Sequence, residues 1–512
     1  MPTQNPQGAM QGPDAVFNIS QGLSSSISFN RAAGYQGLSG GQVPMALLGD
    51  SLVERFWANT IGISSITFSN GIATVNTATA HNMWPTLNMA LRGSTQIFLN
   101  GQFSVLTVPT TTSFTVFIGN TQAGLTASGI ATGASYMLSS NFLTANNSIF
   151  SYVQMKTNFK FNIVSNAGVS GERTDQVILR LSEVTTSGAL HCYVLVGIND
   201  CTQNIPASTI IGNLNLIYQT LLAAGITVHA RTLIGYGSAA GVTTAQISAM
   251  NTVNAWIRRQ SNNPGIYVVD YHSFMQDPAS ATGLNLAANM DASNTVHPSP
   301  TGSIGCAALD ATSFNAIFPV QPNTLPTNQA DSVAVSGING QGFSNPTFQG
   351  AGLATNWSSS IGGVTTVDTT VARTTGTDGD TCGNNQSRAY TNATAAAQSA
   401  NLFQQPANNR FSPGDLLVMQ AECSWTGLTA AIDSVRLILN MTIDGILYTA
   451  TSGIEKNTQV LTTDNLKARM MTPPLRVPAG NLTVVQAFIG TRFNNNATPT
   501  LLVGRAALRN IA

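Results

Sequence analysis

The chain has 512 residues, enough for about two to four domains with full-size cores. Only 8% of them are charged, against roughly 25% in ordinary soluble domains, and the 21 basic and 21 acidic residues cancel without forming a basic block. That balance argues against a nucleic-acid partner, which needs clustered Lys and Arg, and a hydrophobic content of 43% argues against disorder.

Asn, Thr, Ser, Gln and Gly take the place of charge, a composition that correlates with β-rich extracellular or virion proteins that meet carbohydrate. The five cysteines are too few and too odd in number for a disulfide framework. Cys192 and Cys306 lie in apolar segments and read as core residues. Cys382 and Cys423 share the C-terminal region, but a disulfide between them is not expected. No spacing suggests a metal site, and no cofactor is expected. No apolar stretch approaches the about 18–20 residues of a membrane span. The N-terminal segment, Met1 to Gln7, has neither the basic nor the apolar region of a signal peptide. The expectation is a phage particle protein released by lysis, or an extracellular one whose signal has been cleaved.

In chain order, residues 1–42 form an aperiodic, Gly- and Gln-rich arm. Partners able to hold such an arm are further copies of the chain or other virion proteins. Val43 to Leu48 is an apolar run that reads as a buried strand, and it ends in Gly49-Asp50-Ser51-Leu52. A serine on a strand-to-helix turn stands clear of the sheet, beside helical N–H groups able to meet an oxyanion. From residue 60 to 138 the pattern is β. Asn70-Gly71 separates Ser65–Phe68 from Ile72–Val75, and Asn100-Gly101 separates Gln96–Leu99 from Phe103–Leu106. Asn-Gly between short alternating runs predicts a hairpin in each case.

From 139 to 319 strands alternate with helices, which predicts a parallel sheet covered on both faces. The strands are Phe161–Val164, Cys192–Val196, Thr227–Leu233 and Ile266–Val269. The helices are Ile210–Leu222, Thr244–Arg259 and Pro300–Phe318. Pro319 ends the last of these, and 320–330 reads as a linker. Residues 331–512 are β again, with strands at Leu416–Met419, Val435–Leu439, Leu482–Val485 and Leu501–Val503, at the spacing of a sandwich. The expected architecture is therefore an α/β domain in two pieces (43–59 and 139–319), a small β domain inserted at 60–138, and a C-terminal β-sandwich of jelly-roll type.

Three further segments fall at strand ends or before a helix, in a fixed order. They are Asn166-Ala167-Gly168-Val169-Ser170-Gly171, Gly197-Ile198-Asn199-Asp200, and Asn294-Thr295-Val296-His297-Pro298. With Gly49-Asp50-Ser51-Leu52 they resemble the four blocks of the SGNH (GDSL) hydrolase family, over about 43–57 and 140–319. The resemblance implies a three-layer α/β fold and ester hydrolysis. It implies Ser51 as nucleophile and His297 as general base. It also implies an oxyanion hole from the Ser51 N–H, the Gly171 N–H and the Asn199 amide. The physics agrees, since a serine hydroxyl needs a base and an oxyanion needs converging donors.

One position departs from the pattern. The family has Asp three residues before the histidine, and this chain has Asn294, which can accept a hydrogen bond from His297 but cannot balance its charge. Asp291 is the alternative acid. His81, His191, His229 and His272 have no such context and read as structural. The C-terminal region, with Asn345-Pro346-Thr347-Phe348 and Asn356-Trp357, looks similar to jelly-roll carbohydrate-binding modules. Trp357 and Trp425 are either core residues or sugar-stacking platforms.

The expected function is a serine esterase that removes acyl groups, O-acetyl above all, from an acylated bacterial cell-surface glycan, as part of a phage tail fibre or spike. The rival is a non-catalytic virion adhesion protein with a decayed hydrolase site. A third reading is a secreted lipase or thioesterase, which would prefer long acyl chains.

Overall fold

The strand β1 (Val43–Gly49) is buried on both faces from Met45 onward, which is why its sequence runs apolar without alternating. In the computed structural model, residues 42–511 are described apart from 58, 95–98, 120–135, 141, 145–147, 239–240, 282, 292–295, 319–324, 327–340, 373–382, 395–396, 428–431 and 456–465. The N-terminal arm to residue 41, Asn294, Pro319 and Cys382 lie outside the described residues.

After a one-turn helix, Ser51–Glu54, the chain leaves the sheet and builds a closed barrel. Its strands are β2 (Asn59–Ser69), β3 (Ile72–Thr77), β4 (Asn88–Arg92), β5 (Gly101–Thr110), β6 (Ser113–Phe117) and β7 (Tyr136–Ser139), in the order β2-β3-β6-β5-β4-β7. Alternation fills its interior with Ile66, Ala73, Val75, Met89, Val105, Phe114, Val116 and Met137. Asn70 and Gly71 take φ of 53° and 77°, the left-handed pair that a tight hairpin turn requires.

The second Asn-Gly pair acts differently. Gly101 opens β5, which among the described residues pairs with β4 and β6. Leu99 lies in a helical turn, and 96–98 fall outside the described residues. Asn100 instead closes the connecting loop, its amide bonding Ser94 N at 2.8 Å and Ser94 O at 2.7 Å. An Asn side chain can mimic a backbone turn, so the same dipeptide serves two geometries.

The chain then returns through β8 (Phe142–Thr144) to the sheet strands β9 (Phe161–Gly168), β10 (His191–Leu195), β11 (Thr227–Arg231) and β12 (Ile266–Val269). The order is β12-β11-β10-β1-β9, all parallel. Helices Ala207–Ala223 and Thr244–Arg259 cover one face, where Ala46, Leu48, Cys192 and Val194 meet Ile210, Leu214, Ile217, Met250 and Val253. Thr243 caps the second of these helices through a reciprocal pair with Gln246. Helices Ile149–Lys156 and Pro300–Ile317 lie with the other face, where Met45, Leu47, Tyr193 and Leu195 join Phe150, Phe161 and Phe314. That second core is continuous with the barrel interior and with the C-terminal domain.

The C-terminal domain is a β-sandwich. One sheet contains β13 (Ser358–Gly362), β16 (Gln398–Gln404), β18 (Ile432–Ile443), β19 (Ile446–Glu455) and β22 (Leu482–Phe493). The other contains β14 (Thr365–Ala372), β15 (Asn384–Thr391), β17 (Leu416–Thr426), β20 (Leu466–Met471), β21 (Leu475–Arg476) and β23 (Thr500–Asn510). The first sheet ends on β8, which pairs parallel with β19 and so ties the α/β segment to the sandwich. Within the stretch that reads as a linker, Leu325 is buried and Pro326 O accepts from Arg505 at 3.3 Å.

Both tryptophans that could have stacked on sugar are core residues. Trp357 donates to Asn345 O at 2.8 Å and stacks on Phe348 at 4.8 Å, and Trp425 is fully buried with its N–H on Thr491. Cys192, Cys306 and Cys423 are buried free thiols. Among the described residues no helix is long and apolar enough to cross a membrane. Trp425→Ala is expected to lower stability by about 3–5 kcal/mol, the usual cost of truncating a buried Trp. Denaturant unfolding measures this, and an unchanged midpoint would mean that the indole is not part of the core.

Candidate active site

Gly49 ends β1, and the Ser51–Glu54 helix starts at once. Two glycines permit that sharp a turn. A Cβ on Gly49 would sit 2.2 Å from Leu195 O, and one on Gly168 would sit 2.2 Å from Glu54 N. The end of β1 therefore lies directly against β10, and the helix directly against the end of β9. Asp50 caps it, its Oδ1 accepting from Leu52 N at 3.0 Å. Ser51 occupies the first helical position, where its N–H has no intrahelical acceptor.

His297 arrives from the other end of the domain. Asp291 N donates to His297 O at 3.0 Å, and Met290 pairs with Pro298, so residues 290–291 lie against 297–298 just before the Pro300–Ile317 helix. Ser299 caps that helix and Pro300 stands at its first turn. The result places His297 Nε2 2.8 Å from Ser51 Oγ, across 246 residues of sequence. Both side chains are nearly buried. Burial, with a lesser contribution from the Arg55 cation and opposition from Asp291, pushes His297 down to about 4. The ring is thus neutral at pH 7 and can accept the serine proton.

For Nε2 to accept, the ring proton must sit on Nδ1. Nδ1 is buried and has no hydrogen-bond partner among the described residues. Asp291 is close enough to act electrostatically on both His297 and Arg55.

Gly171 has φ of +81°, and nothing lies within 4 Å of where its Cβ would stand. Asn199 begins a short helix after β10, and its Nδ2 donates to Glu172 O at 2.9 Å, which fixes the amide beside the Gly171 loop. Ser51, His297, Gly171 and Asn199 thus all stand at or beyond the carboxyl ends of the parallel strands, where such sheets place ligands. Of the remaining histidines only His272, just past β12, shares that end of the sheet, and no bond joins it to Ser51 or His297 among the described residues. His81 accepts from Met83 N at 3.1 Å inside the barrel region, His191 and His229 bond each other at 3.1 Å, and His272 is buried.

Three charged residues here escaped the sequence reading. Arg55 is a cation beside His297, with only its position after Ser51 as a signal. Glu54 accepts from Tyr136 Oη at 2.8 Å. Asp50 is fully buried, and its Oδ2 has no hydrogen-bond partner among the described residues. Burial and the neighbouring Asp200 push its carboxyl up to about 7. Asp200 in turn accepts from Thr174 N at 2.9 Å and Thr174 Oγ1 at 2.6 Å.

Residues 130–303 match the model of the GDSL-like lipase/acylhydrolase family. The chain carries a GDSL-like hydrolase domain. The match begins at residue 130, ahead of the barrel's last strand β7, so it does not reach Ser51, and the 2.8 Å contact is what joins the two pieces. The chain is also similar to solved structures of hydrolases. One is a lipolytic protein of the G-D-S-L family from Desulfitobacterium hafniense, at 14% identity over 33% of this chain and 88% of that one, with a TM-score of 0.28. Another is a GDSL-like lipase from Bacteroides thetaiotaomicron, at 19% over 30% and 75%, TM-score 0.27. A third is a lipase/acylhydrolase from Enterococcus faecalis, at 16% over 34% and 88%, TM-score 0.28. No curated protein matches the chain. The GDSL-like domain is that of a serine esterase.

The buried Asp50 makes stability depend on pH in a stated direction. Its folded pKa lies above the unfolded value of 3.8, so its contribution is full below that value and is lost as pH rises through about 7. The loss is on the order of 4 kcal/mol. Asp50→Asn, which keeps an oxygen for Leu52 N, is expected to remove that decline. Thermal unfolding of both proteins at pH 5 and 8.5 checks it, and parallel pH profiles would contradict the assignment.

Proposed function

We propose that the GDSL-like domain deacylates an acylated bacterial surface polysaccharide, with O-acetyl as the acyl group, and that the chain works as part of a phage tail fibre or spike. The observation that carries the catalytic part is the 2.8 Å contact between Ser51 Oγ and His297 Nε2. Ser51 attacks the ester carbonyl while His297 Nε2 takes the hydroxyl proton. The Ser51 and Gly171 N–H groups and the Asn199 amide receive the developing oxyanion. Collapse expels the sugar hydroxyl, which takes the proton back from His297, and leaves acetyl-Ser51. A water deprotonated by His297 then attacks the acetyl carbon, acetate departs, and Ser51 is restored.

Support for a glycan substrate is less direct. It consists of a low-charge, amide- and hydroxyl-rich chain and two β domains flanking the hydrolase domain. A non-catalytic adhesion role is the second reading, favoured by the unpartnered His297 Nδ1 and by Asn294 at the usual acid position. Ser51→Ala is expected to cut release of acetate from p-nitrophenyl acetate by about 10⁴-fold or more. Turnover equal to wild type, or failure of a fluorophosphonate to label Ser51 in the native protein, would favour the adhesion role.

In catalysis we assign Asp291 to orient His297 Nδ1, with Asn294 as the competing partner. Asp291→Ala and Asn294→Ala compared side by side decide this, since loss of the orienting group costs about 10²–10⁴-fold in kcat. The same assignment has a pH signature. Protonation of His297 removes the base, so kcat/KM rises with pH through about 4 and is flat by pH 6. An ordinary histidine would place that limb near about 6.5. Asp291→Ala should move the limb lower, because the carboxylate favours the charged ring.

A further inference from the structure

The inserted barrel touches the hydrolase domain through polar contacts that converge on one place. The first runs from Tyr136 in β7. Its hydroxyl donates to Glu54 Oε1 at 2.8 Å, and the same carboxylate takes a hydrogen bond from the Ser170 N–H. Glu54 ends the helix that begins at Ser51.

The second runs from β4 and β5. Arg92 Nη2 donates to Glu183 Oε2 at 3.0 Å, and Gln102 Nε2 donates to the same oxygen at 2.8 Å. Glu183 Oε1 accepts from Arg180 at 3.4 Å. Arg180 Nε in turn meets both Glu172 oxygens, at 3.1 and 3.0 Å. Glu172 O is the acceptor for the Asn199 amide, at 2.9 Å. Gln102 also grips the strand below, bonding Ser165 Oγ and Asn166 N at 2.8 Å each. One path ends at residue 170 and the other at residue 172, on either side of Gly171.

That loop needs such support. Gly171 sits at positive φ with no atom near its Cβ position, so side-chain packing does not fix it there. Hydrogen bonds to its flanks must do so instead. Oxyanion donors act only when held within about 0.5 Å of the productive position, and a displacement of about 1 Å can cost about 10²-fold. Arg92 and Glu183 are nearly buried, with 4% and 12% of their side chains exposed, so this is no solvent-screened surface pair.

We propose that the inserted barrel is a positioning element for the oxyanion loop, acting through Tyr136–Glu54 on one flank and Arg92–Glu183–Arg180–Glu172 on the other. The proposal rests on the esterase reading above and gives the barrel a part in turnover. Tyr136, Arg92, Glu54 and Glu183 are positioning residues, since each acts through the loop.

The test uses the full chain with p-nitrophenyl acetate, and an arylboronic acid as a mimic of the tetrahedral intermediate. Tyr136→Phe and Arg92→Met are each expected to lower kcat about 10-fold and together more, with KM changed less than about twofold. The boronate inhibition constant should rise by the factor by which kcat/KM falls, because both report the oxyanion site. The acid limb near pH 4 should stay in place, because the base is untouched. Arg92→Lys, which keeps the cation, should recover most of the loss. Wild-type kcat in the folded double variant would overturn the proposal and leave the esterase reading standing. So would a fall in kcat without a matching rise in the boronate constant. If the double variant does not fold, the single variants decide on the same two readouts. A wild-type protein without Ser51-dependent turnover would sink both.

Discussion

The site depends on the absence of two side chains. Gly49 leaves room for Leu195 O and the Val53 side chain, and Gly168 lets the backbone of the Ser51–Glu54 helix lie against β9, at separations no Cβ could occupy. A methyl at either position would push the helix off the sheet. Ser51 would then leave His297, and Glu54 would leave both Tyr136 and the Ser170 N–H. Close backbone approach, rather than any one strong bond, sets where the hydroxyl stands. The bonds then hold what the approach allows: the Asp50 cap on Leu52 N, and the Asn166 amide on Glu54 O at 3.3 Å.

Splitting the hydrolase domain right after Ser51 carries a cost, since the chain must leave and re-enter beside the Ser51–His297 contact. The structure absorbs it through a shared core. The sheet face bearing Met45 and Leu47 packs into the same apolar cluster as the barrel interior and the sandwich, whereas the face bearing Ala46 and Leu48 keeps a separate one with its own helices. The β8–β19 pairing adds a backbone tie between the α/β segment and the sandwich. Barrel, sheet and sandwich are therefore continuous in packing on one side of the sheet, which is what lets a barrel residue such as Tyr136 hold a fixed relation to Glu54.

Much of this was legible in the sequence for physical reasons. Strands buried on both faces write unbroken apolar runs, and amphipathic helices write a 3.6-residue period, so β1, β12 and the Thr244–Arg259 helix stand where the pattern puts them. The four short blocks were readable because a strand-end serine, a left-handed glycine and a histidine before a Pro-started helix each need particular residue types. The illegible parts share a different cause. β13 and β14 are rich in Ser and Thr and stay largely exposed, and β15 buries the polar Gln386 and Arg388 beside Tyr390, so no apolar period marks them. Asn100 misled because a side-chain turn and a backbone turn use the same dipeptide. Arg55, Glu54 and Asp50 carry meaning only through neighbours that tertiary structure brings to them.

Those charges bear on the composition itself. A chain with 21 basic and 21 acidic residues has few to place, and an unusual share gathers around the Ser51 turn. Asp50, Glu54, Arg55, Glu172, Arg180, Glu183, Asp200 and Asp291, with Arg92 from the barrel, all act on one another or on His297 there. Charges on an exposed surface would be screened within about 10 Å and would contribute little apiece. Buried or half-buried beside Ser51, the same charges modulate what burial does to His297 and Asp50 and give the Gly171 loop its footing. A surface of amides and hydroxyls and a charged centre are thus two sides of one allocation. The ionisable groups are concentrated where their fields are least screened.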